Sequence, residues 1–310
     1  MKDLKGTVVK SMGLWYVVAD SHGKEYNCRL KGKFKLQDKK ITNPIAVGDE
    51  VAIAEDGGND SAWIIEDILP RTNYIVRKSP KKKGFSHIIA SNIDQAVLIA
   101  TLATPKTSLG FIDRFLVTAE AFRIPASILF NKMDLLSKEE KDELAVKLSE
   151  YESIGYGVFA SSVTANEGLD AFISSLSGKT TLLSGHSGVG KSTLINHLIP
   201  HANQKISEIS GFSNKGIHTT TFAERFSIDN HTHIIDTPGI KELGLAEIEK
   251  DELTHYFPEL RDLFGSCRFH NCSHTHEPGC AIEEAYKDGR ISGSRYESYL
   301  SMLMGDDNRR

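Results

Sequence analysis

The 310-residue chain has no apolar run long enough to span a bilayer, and its first residues, MKDLKGTVVKS, carry charges with no hydrophobic stretch behind them. Neither membrane insertion nor secretion is expected, and the expected location is the cytoplasm. Cysteine is scarce, with four residues in all. Cys28 stands alone and reads as a small apolar residue, whereas Cys267, Cys272 and Cys280 crowd into fourteen positions beside histidines. That usage suits a metal better than a disulfide framework. No fixed-period repeat or low-complexity tract is present, so the chain reads as globular. Nor does either sign of charge prevail, with 37 Lys+Arg against 41 Asp+Glu, but the balance is uneven. Residues 1–89 carry 16 basic and 11 acidic side chains, and the remainder carries 21 and 30. A basic N-terminal module suits a nucleic-acid face.

Length and a hydrophobic content of 40% allow a substantial core divided among several domains. Residues 1–70 alternate short β-rich runs with glycine or polar turns, the pattern of a small antiparallel barrel, read as an OB fold. Trp15, Tyr16 and Tyr26, beside Lys24, Arg29, Lys31, Lys33 and Lys35, are candidates for stacking on bases or for the barrel core. Residues 71–91, with the run RKSPKKKG, read as a basic linker. From 92 to 239 continuous apolar strands alternate with helical segments, which indicates a parallel sheet covered on both faces. Residues 240–310 read as a mostly helical segment around the cysteine cluster, too small for a core of its own and helped by a metal.

Gly185-His186-Ser187-Gly188-Val189-Gly190-Lys191-Ser192 fits G-x-x-x-x-G-K-[ST], after a strand candidate and before a helix candidate opening at Thr193. Glycines let backbone N–H groups face anionic oxygens, and the helix N-terminus adds favourable partial charge. Lys191 suits the β- and γ-phosphates, and the Ser192 hydroxyl suits Mg²⁺. In IIDTPG, Asp236 can hold a magnesium-bound water and the Gly239 N–H can meet the γ-phosphate. Thr219, Thr220 and Thr221 of GIHTTT are candidates for a switch hydroxyl over Mg²⁺; spacing does not separate them, and Thr220 is carried forward with Ser192 and Asp236 as the magnesium set.

Base selection points to Asn131-Lys132-Met133-Asp134. The Asp134 carboxylate can accept from guanine N1–H and N2–H₂, a donor pair that adenine lacks. Asn131 would buttress the loop and Lys132 would cover the base with its aliphatic stem. Ser161 and Ser162, after the next strand, could offer a backbone N–H to guanine O6. This base reader precedes the phosphate loop by some fifty residues, whereas ordinary GTPases have the reverse order. Because ligands of open parallel sheets gather beyond the carboxyl ends of the strands, the site closes whichever loop comes first. The loop order is a cyclic shift, hence a circularly permuted P-loop GTPase domain.

With these motifs the chain resembles the bacterial ribosome small-subunit-dependent GTPase A family, over essentially its whole length. The resemblance implies an N-terminal OB fold, a permuted GTPase domain and a C-terminal zinc domain. It implies hydrolysis of GTP to GDP and phosphate, stimulated by the small ribosomal subunit during that subunit's late maturation, and contact with its rRNA. A monomer without membrane contact is the expectation. Spacing alone leaves His270 and His276 as possible metal ligands, while the resemblance assigns Cys267, Cys272, His274 and Cys280 to one structural Zn²⁺. The position that elsewhere holds a water-orienting Gln is Ile240, and the resemblance points instead to His218 as catalytic. Two departures stand out: Ser162-Val163 where alanine often follows the serine, and Ile217 where an arginine is frequent before the histidine.

Overall fold

A computed structural model describes residues 4–30, 43–56, 63–78, 86–200, 223–237 and 248–305. The first five strands are β1 (Leu4–Met12), β2 (Trp15–Ala19), β3 (Glu25–Leu30), β4 (Glu50–Glu55) and β5 (Trp63–Ile68). They close in the order β1-β2-β3-β5-β4-β1, with β3 and β5 parallel and the other pairs antiparallel. Alternation drives the closure: in β3 Tyr26 and Cys28 point inward while Glu25, Asn27 and Arg29 face water. Val8, Tyr16, Val18, Val51, Ile53 and Ile65 complete the barrel core. Tyr16 and Tyr26 are therefore core residues, not base-stacking platforms. Trp15 alone of the three is exposed, at 40%, with the Arg29 guanidinium 4.3 Å from its ring centre.

Residues 71–91, expected as a linker, instead carry the hairpin β6 (Tyr74–Lys78) and β7 (Ser86–Ser91). Ile75 and Ala90 are buried in one core of the central sheet and Val76 and Ile88 in a small cluster with Ala46, so the hairpin is part of the folded interior. Asp49 knots barrel to hairpin: its carboxylate accepts two bonds from Arg71, both 2.7 Å, and one from the Ser91 hydroxyl.

The central sheet contains β8 (Gln95–Ala100), β9 (Ala126–Phe130), β10 (Gly157–Ala160), β11 (Thr180–Gly185), β12 (Glu224–Ser227) and β13 (His233–Asp236), in the order β10-β9-β8-β11-β13-β12. All pairings are parallel except that of β12 with β13. Every residue of β8 is buried, and the pleat divides them: Ala96, Leu98 and Ala100 join one core, Val97 and Ile99 the other. Helices α1 (Leu109–Ala121) and α2 (Lys138–Ser153) contribute to the first core, α3 (Asp170–Leu176) and α4 (Lys191–Leu198) to the second. Serine starts two of these helices; Ser137 and Glu140 form a reciprocal capping box on α2.

The C-terminal module comprises a 3₁₀ segment (Lys250–Tyr256), α5 (Pro258–Arg261), α6 (Ala281–Lys287) and α7 (Gly293–Met304). Its core of Leu253, Phe257, Leu260, Ile282, Tyr296 and Tyr299 includes Val117 of α1. The module thus has a core of its own, contrary to the expectation of a tail too small for one, and Val117 of α1 packs into it.

Candidate nucleotide site and metal centre

Because β8, β9, β10, β11 and β13 run in one direction, the loops beyond Ala100, Phe130, Ala160, Gly185 and Asp236 share one rim. Gly188 and Gly190 have φ of 88° and 97°, which L side chains rarely adopt. A Cβ at Gly190 would also lie inside contact distance of Asn131 Nδ2. The Asn131 carboxamide, itself only 4% exposed, donates to Val189 O at 2.9 Å and accepts from Val163 N at 3.1 Å. One side chain thus ties base loop, serine loop and phosphate loop together. Gly185, Val189 and Ser161 are buried beside it, while Ser187, Ser192 and Thr193 are exposed.

Lys132 takes φ 65° and its ammonium donates to Thr104 O at 2.8 Å; Met133 N donates to Ser161 O at 3.1 Å. Asp134 is exposed and accepts a hydrogen bond from the Ser162 hydroxyl. The Ser161 and Ser162 N–H groups are already donated, to Phe130 O at 2.8 Å and Glu167 O at 3.0 Å. Neither is available to guanine O6 in this arrangement, because strand-like pairing extends one residue further than the sequence suggests. The Thr164 N–H donates to no described residue. At the phosphate end, Lys191 forms an ion pair with Asp236 and lies 3.5 Å from Thr237 O. His218, Thr219, Thr220, Thr221 and Gly239 fall outside the described residues.

Sequence reasoning missed the wall of the phosphate loop. The connection from β8 to α1, LATPKTS, packs Pro105 beside Gly188, and the Phe111 ring lies 3.8 Å from that of His186. Its Pro-containing polar stretch after a buried strand was the available signal.

Residues 68–246 match the family described as RsgA GTPase, and residues 5–64 match the RsgA N-terminal domain. The chain belongs to the RsgA GTPase family. The "small ribosomal subunit biogenesis GTPase RsgA" of Cytophaga hutchinsonii is 51% identical over 307 residues, covering 99% of this chain and all of that one. That of Bacteroides fragilis is 47% identical, over 97% and 96% of the two chains. Among solved structures, YjeQ from Thermotoga maritima aligns with a TM-score of 0.77 at 32% identity, covering 97% of this chain and 98% of that chain. YloQ, described as a circularly permuted GTPase, aligns at 0.72 and 30%, covering 99% and 96%. As an RsgA GTPase the chain is a GTP hydrolase, and its permuted order is shared with a solved relative.

The second cluster of this RsgA chain lies in the C-terminal module. The ligand atoms of Cys267, Cys272, His274 and Cys280 all lie within 4.8 Å of one another, a set that can hold one metal ion. His270 and His276 do not belong to the group. His274 Nδ1 faces Cys267 Sγ at 3.5 Å and Cys280 Sγ at 3.6 Å. Burial lowers the His274 pKa and pushes the Cys272 thiol up to about 12, so thiolates here call for a cation. Glu277 holds the loop by accepting from the N–H groups of Ser273, Thr275 and His276. Tyr296 and Tyr299 donate to the carbonyls of His274 and Ser273 at 2.8 and 3.1 Å.

Proposed function

We propose that the rim binds GTP between Asp134 and Lys191 and that the protein hydrolyses it when docked on the small ribosomal subunit, in the cytoplasm, during late maturation of that subunit. The supporting observation is the Asn131 carboxamide, bonded at once to the phosphate loop and the serine loop at 2.9 and 3.1 Å. Loops far apart and reversed along the chain are thereby within reach of one nucleotide.

In this reading Asp134 accepts from guanine N1–H and N2–H₂, worth about 1–3 kcal/mol of selection against adenine by analogy with bidentate base readout. Lys132, which now donates to Thr104 O, covers the base with its stem. Met133, Ser161, Ser162 and the backbone from Gly185 to Thr193 line the nucleotide. Lys191 exchanges its Asp236 partner for phosphate oxygens. Mg²⁺ bound with GTP neutralises phosphate charge, and Ser192, Asp236 and Thr220 are the residues that would hold it. Gly239 and Thr219 approach the γ-phosphate, and His218 orients the attacking water in place of the absent Gln. Without that Gln or an arginine finger, elsewhere worth about 10³–10⁵ in rate, the free protein turns over slowly. The ion in the Cys₃His cluster is zinc, whose tetrahedral preference suits three thiolates and an imidazole; with all four positions taken, it is structural. The barrel and this module face rRNA, and the protein acts as a monomer.

Phosphate release from GTP and from ATP, with and without purified small subunits, tests the reading. GTP alone should be hydrolysed, faster with subunits, and His218→Ala should abolish the acceleration while GTP affinity stays near normal. Equal competition by ATP would sink the base assignment. Undiminished stimulated turnover in the histidine variant would remove its catalytic role.

A further inference from the structure

Strand β1 changes partner along its length. Residues Leu4 to Thr7 close the barrel against β4, and then a bulge between Val8 and Lys10 turns the strand outward. Past the bulge, Lys10 pairs with Glu224 of β12, the one register pair joining barrel strand to GTPase sheet among the described residues. Their side chains also form an ion pair of 3.0 Å, each 13% exposed. A groove of about 1490 Å³ runs past this junction, with Lys10, Glu224 and Arg225 among its lining residues.

The row continues inward. Glu224 stands directly opposite Asp236 in the antiparallel β12–β13 pair, and Asp236 holds Lys191 of the phosphate loop. Four charges thus lie in sequence across three strands and a helix start: Lys10, Glu224, Asp236, Lys191. The two carboxylates at the centre oppose one another, an arrangement that destabilises a strand pair unless each has its own cation. Each has one, from opposite sides: Lys10 from the barrel, Lys191 from the phosphate loop. Whatever draws one lysine away therefore raises the demand on the other. Glu224 also lies six positions beyond His218 in sequence, so its strand begins where the candidate switch segment ends.

We propose that Lys10 and Glu224 are positioning residues that couple what the barrel binds to the phosphate site, through the charge row ending at Lys191. This rests on the reading that small subunits stimulate hydrolysis. Docking of the barrel on RNA presses Lys10 more closely onto Glu224, the demand on the second cation falls, and Asp236 releases Lys191 to the nucleotide. Neither Lys10 nor Glu224 touches substrate in this scheme. In the undocked protein the triphosphate itself competes with Asp236 for Lys191, so basal turnover depends on the pair far less than stimulated turnover does.

The test compares basal and subunit-stimulated phosphate release in wild type, Lys10→Met, Lys10→Arg, Glu224→Gln and the Lys10→Met/Glu224→Gln double variant, with co-sedimentation on small subunits and thermal melts alongside. Expected is a loss of about tenfold in the stimulated-to-basal ratio for Lys10→Met and Glu224→Gln, an ordinary size for coupling between sites. The double variant should lose no more than either single, and Lys10→Arg should keep the wild-type ratio. Basal turnover, melting temperature and co-sedimentation should stay near wild type. Unchanged ratios, additive losses or a loss of co-sedimentation would overturn the coupling, the last because the pair would then serve docking alone. A wild type that subunits fail to accelerate would overturn the functional reading, and the coupling with it.

Discussion

Two ionic clusters join outlying modules to the GTPase core, and they are built differently. On the C-terminal side, Arg295 is 2% exposed and donates to Asp113 of α1 and Glu259 of α5, each at 2.7 Å, beneath the ring of Phe257 at 4.6 Å. Tyr151 donates to the same Asp113 at 2.9 Å. Asp113 Oδ1 thus accepts from two donors, Glu259 accepts two bonds from Arg295, and Val117 packs alongside. On the barrel side, the Lys10 to Lys191 row is partly solvated, with side chains 13–15% exposed. Burial makes the first cluster costly to open, because a separated partner is left as an uncompensated buried charge. Partial solvation makes the second one cheap to rearrange, as a nucleotide-responsive element requires.

The largest effect should come from metal removal, which attacks the fixed side. Structural zinc sites carry about 10–16 kcal/mol of apparent binding free energy. Chelation should open residues 267–280 and loosen α7, whose Tyr296 and Tyr299 hold that loop, as read by hydrogen exchange; the β1–β12 junction should be unmoved. Equal loss of protection at both junctions would erase the contrast. Next in size is Arg295→Ala, which strands two buried carboxylates and should cost about 3–5 kcal/mol in urea unfolding. Arg295→Met should cost less than Arg295→Ala, since it restores apolar volume.

The smallest effect concerns pH on the movable side. His233 sits on β13, paired with Ser227 of β12 at the far end of the ladder that carries Glu224 and Asp236. Burial, aided by the Arg225 charge, depresses its pKa from 6.5 to about 4. The unfolded chain therefore binds the proton first, and the histidine's contribution to stability is complete above pH 6.5 and declines as pH falls toward 4. Protection of the β12 and β13 amides, with the intrinsic pH dependence of exchange divided out, should fall over that window. His233→Gln should flatten the response, and α7 should show none of it.

Local signals were legible in the sequence and distant ones were not. The phosphate loop and the Asn131 to Asp134 loop are each contained in a few residues whose chemistry requires that spacing; the cysteine cluster is equally local, but spacing left His270 and His276 open beside His274, which the family resemblance singled out. The barrel was legible through its alternation, although nothing in one sequence separates Tyr26 pointing inward from Trp15 pointing outward until strand register is known. The hairpin at 74–91 was hidden because a lysine run outweighed the short apolar pairs, and a register shift between Ile75 and Val76 breaks the alternation that would have marked a strand. Arg295 and Asp113 lie 182 positions apart, and no motif announces such a pair. The Ser161 and Ser162 N–H groups were misjudged for a related reason: whether a backbone donor is free depends on the strand beside it.

The permuted order has a consequence for the chain as it is being made. Asp134 leaves the ribosome fifty-seven residues before Lys191, about 3–11 s earlier at ordinary rates of synthesis. During that interval the nascent protein owns a base-recognising loop without a phosphate anchor, and Asn131 has no Val189 to hold. Guanine nucleotide can be gripped only once the later half has emerged, so the earliest-made part of the pocket waits, incomplete, for the last-made part to join it.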